Sequence, residues 1–170
     1  MTMTQESLIA GEIVVEGFLA DSVVAPGDGK LYVQGGVWNL INTSTLPVRQ
    51  PRIGLAVMVK VPYHLATNEP HRFDVRLLDA DEHEVPIADA PPGVSTPDGK
   101  IRLFGGDFAV GRPHGMQPGD EQFVTVAINV DGLIFERAGV YSFVISVDGN
   151  EAKRLRFRVN QVVQPNLTLR

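Results

Sequence analysis

Apolar and polar residues alternate with period two through most of this chain. In the run IGLAVMVKV, Ile53, Leu55, Val57, Val59 and Val61 share one side, and Gly54, Ala56, Met58 and Lys60 the other. HRFDVRLLD sets Phe73, Val75 and Leu77 against Arg72, Asp74 and Arg76. FVTVAINVDG sets Val124, Val126, Ile128 and Val130 against Thr125, Ala127 and Asn129, and YSFVISVDG sets Tyr141, Phe143, Ile145 and Val147 against Ser142, Val144 and Ser146. RLRFRV places Leu155, Phe157 and Val159 opposite Arg154, Arg156 and Arg158. Side chains leave a strand on alternate faces, so this pattern predicts antiparallel strands with one buried face. Pro and Gly leave little room for a helix.

The residues between these runs are turn formers. Asp148-Gly149 supplies the positive φ angles of a tight hairpin, PGDGK at 26–30 does the same, and DADEHE at 79–84 lies where another hairpin turns. ADAPPGVSTPDG at 88–99 reads as a longer surface connection. Short strands joined by such turns predict an all-β fold, a two-layer antiparallel β-sandwich of immunoglobulin-like or C2-like type. It forms a single domain over 13–160, with an N-terminal extension at 1–12 and a C-terminal tail at 161–170.

One pattern bears on architecture. DGKLYVQGGVW at 28–38 is echoed by DGKIRLFGGDF at 98–108, and at nearly the same offset IGLAVMVKV aligns with VTVAINVDG and RFDVRLLD with SFVISVDG. An internal two-fold pseudo-repeat is one reading. The other is that alternating strands and Asp-Gly turns match one another without common origin. In either case each Gly-Gly is expected to end or bulge a strand before an aromatic residue enters the core.

Composition narrows the function classes. At 44% apolar and 21% charged, the 170-residue chain is globular and long enough to bury a real core. A net charge of −5 offers no overall basic field for nucleic acid or an anionic membrane. The absence of cysteine excludes disulfides, thiolate zinc sites and a cysteine nucleophile. No apolar run approaches the ~20 residues of a membrane span, and MTMTQESLIAGEIVVEG lacks the basic start of a signal peptide, so a cytoplasmic location is expected.

The segments FLADSVVAPGDGKLYVQGGVWNLI, LAVMVKVP, HRFDVRLLDADEHEV and AGVYSFVISVDGNEAKRLRFRV resemble a family of uncharacterised bacterial proteins known only as a domain of unknown function. The resemblance covers residues 13–160 and implies a small cytoplasmic β-sandwich. DADEHE at 79–84 departs from it, since the family pattern carries Gly in that turn. It brings no catalytic residues to carry over.

The search for chemistry yields few candidates. There is no nucleophile elbow, phosphate loop or dinucleotide fingerprint. Gly27 and Gly29 precede Lys30, but the residues after Lys30 are strand-like, and a phosphate loop needs a helix N-terminus. Asp79, Asp81, Glu82, His83 and Glu84 are the weak candidates for a metal such as calcium, set against the plainer reading of a solvated hairpin tip. His64, His71, His83 and His114 form no close pair, and no serine sits in an activating context. No catalytic residue, metal or cofactor is therefore assigned. Tyr32, Trp38, Phe104 and Phe108 are read as core in preference to a ligand groove.

The asymmetric surface feature is the stripe Arg154, Arg156 and Arg158, with Lys153 beside it. It can grip an acidic partner, guard an exposed edge, or pair with Asp or Glu across strands. Three function classes remain, in order. The first is a non-catalytic structural or interaction module that binds a protein partner or a second copy of itself. The second is a small-molecule or carbohydrate-binding module. The third is a hydrolase with a loop-assembled site. Neither nucleic acid nor a membrane span enters any of them.

Overall fold

The computed structural model describes residues 12–85 and 103–163. Nine strands account for most of them: β1 (Val14–Val24), β2 (Tyr32–Gly36), β3 (Leu40–Thr43), β4 (Val48–Pro62), β5 (Pro70–Leu78), β6 (Phe104–Ala109), β7 (Glu121–Phe135), β8 (Gly139–Val147) and β9 (Asn150–Gln161). Helical structure among the described residues is limited to a three-residue 3-10 turn, Tyr63–Leu65. The strands form a four-stranded sheet, order β2-β1-β4-β7, and a five-stranded sheet, order β3-β9-β8-β5-β6. The two pack face to face as a sandwich.

All pairings are antiparallel except one. β3 runs parallel to β9, with Ile41 opposite Val159. The exception arises from connectivity. Residues 37–39 carry the chain from β2 in one sheet to β3 at the edge of the other, and β3 then meets β9 from outside its hairpin. That hairpin, β8–β9, turns at Asp148 (φ +52) and Gly149 (φ +81) as its Asp-Gly predicts. The PGDGK segment joins antiparallel β1 and β2. The 79–84 segment turns back so that Leu78 bridges Glu84. The longer connection at 88–99 lies outside the described residues.

Inward alternation holds on both sheets. Ile53, Leu55, Val57, Val59 and Val61 meet Phe73, Val75, Leu77, Phe143, Ile145, Leu155, Phe157 and Val159 in one core. Phe157 sits among four aromatic rings, with centroid distances of 5.5 Å to Phe143, 5.6 Å to Phe135, 5.8 Å to Tyr141 and 6.2 Å to Trp38. The Tyr141 hydroxyl lies at the rim of this cluster and donates to the Arg137 carbonyl (2.8 Å).

Besides the outward Asp74 and Leu78 of β5, which are buried, outward alternation fails in two places. In β4 every residue from Ile53 to Val57 is buried, the outward Gly54 and Ala56 included. Past Ala20 the β1–β2 hairpin bends over the outer face of β4, where Ala20, Val23 and Ala56 form a second small core with Leu31 and Ala127. A Cβ on Gly54 would stand 2.9 Å from Val23 Cγ2, so only glycine permits this approach. Asn129 on β7 tethers the hairpin: its Nδ2 donates to the Val23 carbonyl (2.8 Å), and its Oδ1 accepts from the Val23 amide (3.0 Å). The other exception is β8, buried at every residue from Tyr141 to Val147 as the middle strand of its sheet.

The echoed segments do not superpose as a simple two-fold. β4 pairs with β7 and β5 with β8, so each aligned pair stays within its own sheet. A rotation exchanging those partners would keep β2 in the four-stranded sheet. Its echo, β6, edges the five-stranded one. Gly35 (φ +60) and Gly36 end β2 as expected, whereas Gly105 and Gly106 lie inside β6. Residues 98–102 of the second copy lie outside the described residues.

Candidate interaction site

β9 is where the fold displays its charge. Leu155, Phe157 and Val159 point inward, which fixes Arg154, Arg156 and Arg158 on the outer face of the five-stranded sheet. The three then diverge. Arg154 is committed within the chain: its guanidinium donates to both oxygens of Glu82 (2.6 and 3.2 Å) and both of Glu151 (2.9 Å each). The paired arginine holds Glu82 and Glu151 below the usual carboxylate range, and the two carboxylates push Arg154 up. Arg156 and Arg158 are exposed and make no ion pair among the described residues.

Trp38 stands next to this face. It belongs to the 37–39 crossing, which is clamped at both ends: the Val37 amide donates to the Leu19 carbonyl (2.8 Å) and the Arg158 amide to the Asn39 carbonyl (2.9 Å). The indole packs edge-on against Phe157, as a core residue does, but it also lines a cleft of about 270 Å³ with Phe18, Val37, Asn39, Arg154 and Arg156. Its Nε1 is buried with no hydrogen-bond partner in the described structure. A second cleft of about 270 Å³ lies beyond, lined by Asn39, Val140, Arg156, Phe157 and Arg158. Arg156 and Asn39 border both. Val37, at the rim, is 78% exposed and holds φ +64, a conformation costly for a β-branched residue.

The acidic segment at 79–84 is divided by the fold. Ligand atoms of Asp79, Asp81 and His83 lie within 4.8 Å of one another, while Glu82 turns to Arg154 and Glu84 to Arg76 (3.9 Å). Asp79 Oδ1 accepts from the amides of Asp81 and His83 (2.9 Å each), which explains the cluster as a self-bonded turn.

A constellation not read from the sequence lies at the other end of β9. His71 Nδ1 sits 2.8 Å from Asp148 Oδ2, and Asp148 Oδ1 accepts from the Arg72 amide (2.8 Å). The bond to His71 lowers the Asp148 pKa. Both residues line a cleft of about 650 Å³ together with Glu12, Leu65, Asn150 and Glu151. The partners are 77 residues apart in the chain, so spacing carried no signal. His71 opens β5 and Asp148 turns the β8–β9 hairpin, and only the adjacency of β5 and β8 unites them. Among the described residues lining this cleft there is no serine, threonine, cysteine or lysine to act as a nucleophile.

Fold and site together define a β-sandwich module with a cationic strand face beside a half-buried tryptophan. The chain belongs to the family of unknown function DUF6941, whose model matches residues 17–160. Among curated proteins nothing matches. Among solved structures the chain is similar to a β-glucosidase from Listeria innocua (11% identity, TM-score 0.41), over 91% of this chain and 17% of that one. It is also similar to the Pseudomonas fluorescens alkylpurine DNA glycosylase AlkC bound to DNA containing an abasic site analog (10% identity, TM-score 0.34), over 88% of this chain and 31% of that one. The chain thus spans less than a third of each. No helix among the described residues is long and apolar enough to cross a membrane.

Proposed function

We propose that this protein is a non-catalytic interaction module that reads an acidic segment of a protein partner with the outer face of β9. The observation that carries the reading is the pair Arg156 and Arg158, exposed and without an ion pair among the described residues, bordering two adjoining clefts. Guanidinium groups engage carboxylates in pairs of hydrogen bonds, so two of them on one strand suit a row of Asp or Glu side chains. Val37 adds support, since strained backbone concentrates where a surface binds something. Arg154 is not part of the reading surface, being held by Glu82 and Glu151.

The double variant Arg156→Glu/Arg158→Glu tests this. It is expected to melt at nearly the parent temperature, because both side chains are exposed and neither makes an ion pair among the described residues. Binding to an immobilised glutamate-rich peptide is expected to fall to background, and parent binding to weaken as salt rises. A variant that folds and holds the peptide as tightly as the parent refutes the assignment.

A second reading rests on the 650 Å³ cleft, where a histidine and a carboxylate converge. It makes the module a small-molecule binder, or a hydrolase in which His71 activates water. The first reading is preferred because Asp148 already has a structural task, joining the hairpin to the start of β5 through the Arg72 amide. Turnover or ligand binding lost on His71→Ala, with Arg156 and Arg158 intact, would reverse the order.

A further inference from the structure

Three of the four sheet edges are closed by short strands: β2 has five residues, β3 four and β6 six. The fourth is β7, with fifteen. Among the described residues no strand pairs with its outer side. An exposed edge is ordinarily guarded by lysine, proline or a bulge. β7 contains no lysine, arginine or proline, and FVTVAINV is rich in strand formers.

The core is also thin along this edge. The inward residues Ile53, Val57 and Val59 of β4 are fully buried. Their partners on β7, Val130, Val126 and Val124, are only partly so, although Ile128 between them is buried. On the outer face Phe123 is 52% exposed. Among the described residues four strands lie over five, and β7 is the long strand at an edge.

We infer that β7 pairs with β7 of a second copy of this chain, joining two four-stranded sheets into one of eight strands. The strand's own sequence supports this occupant. An antiparallel two-fold centred on Ala127 keeps inward residues beside inward residues, because partners in it differ by an even number of positions. It sets Val124 opposite Val130, Val126 opposite Ile128 and Thr125 opposite Asn129. Phe123 faces Asp131, and Glu121 faces Leu133, so no two carboxylates stand opposite each other. Centring one residue earlier would oppose Glu121 to Asp131. Asp131 is moreover held as a carboxylate in a fixed position by Arg52 of its own chain, through bonds of 2.6 and 3.0 Å.

The test uses the full chain and two substitutions at the half-exposed Phe123. Sedimentation equilibrium across the micromolar range is expected to show a monomer–dimer equilibrium for the parent. Phe123→Asp places a carboxylate opposite Asp131 twice per dimer, and Phe123→Lys an ammonium. The lysine variant is expected to dimerise about tenfold more tightly than the aspartate variant. Hydrogen exchange on the parent supplies a readout that needs no variant: the alternate amides of β7 between 122 and 131 that point away from β4 are expected to lose protection on dilution, while those bonded to β4 and those of β8 keep theirs. A parent that stays monomeric overturns the inference. So does a dimer that tolerates both substitutions equally, or one whose β7 amides exchange independently of concentration. Loss of acidic-peptide binding in the β9 double variant is a separate outcome and does not bear on β7.

Discussion

Replacing Asn129 by alanine removes a side chain that is exposed itself but holds a buried segment. Val23 is 1% exposed, and both its amide and its carbonyl are satisfied by Asn129, at 3.0 and 2.8 Å. Each such hydrogen bond contributes about 0.5–1.5 kcal/mol net, and more where the abandoned partner cannot reach water. Water can enter from the exposed side of β7, which caps the loss near the plain sum of the two bonds, about 2 kcal/mol. For a chain of this length that corresponds to a fall in melting temperature of roughly 4–8 °C. The loss is also local. The β1–β2 hairpin crosses β4 on a small apolar cluster of Ala20, Val23, Leu31, Ala56 and Ala127. Without the tether it should open below the global unfolding free energy. The assay is thermal unfolding together with native-state hydrogen exchange. Amides of residues 21–24 and 32–36 are expected to exchange faster, while those of β4 and β8 are unchanged. Asn129→Asp restores the acceptor but sets a carboxylate against the Val23 carbonyl, so it should not rescue. If Asn129→Ala melts within a degree of the parent and the hairpin amides keep their protection, the hairpin is held by packing and the reasoning is wrong.

Phe157→Ala removes the ring shared by four aromatic neighbours and should cost about 3–5 kcal/mol, visible as a large drop in the urea midpoint. Gly54→Val drives a branched side chain into Val23 and Ala20 and should give a loss of stability confined, in hydrogen exchange, to the covering hairpin. Val37→Gly runs the other way: relief of the positive φ outweighs the added chain freedom, and equilibrium unfolding should show a gain of about 0.5–1 kcal/mol. Glu82, Asp131, Asp148 and Glu151 all have folded pKa values below their ordinary ones, so their contribution is complete above the unfolded pKa and lost as pH falls through the folded one. The melting temperature should therefore decline below about pH 4, and a melting temperature constant down to about pH 2.5 contradicts the pairings.

The sequence by itself determined the strands, their inward faces and their tight turns. Period-two alternation and Asp-Gly chemistry are local, and each residue reports its own face without knowing its neighbours. The outward placement of Arg154, Arg156 and Arg158 came from the same rule, because Leu155, Phe157 and Val159 had to be inside. What each arginine meets was decided by tertiary structure. Glu82 reaches Arg154 only because the 79–84 turn folds toward β9, which leaves Arg156 and Arg158 as the arginines of the stripe with no ion pair among the described residues. Trp38 illustrates both levels: its aromatic size marks it for the core, yet the crossing between sheets puts it at the rim of the arginine cleft. The His71–Asp148 pair, the Asn129 tether and the edge position of β7 among the described strands were equally hidden. Each depends on which strands lie side by side, and strand order is set by the packing of whole sheets, on which a strand's internal pattern is silent.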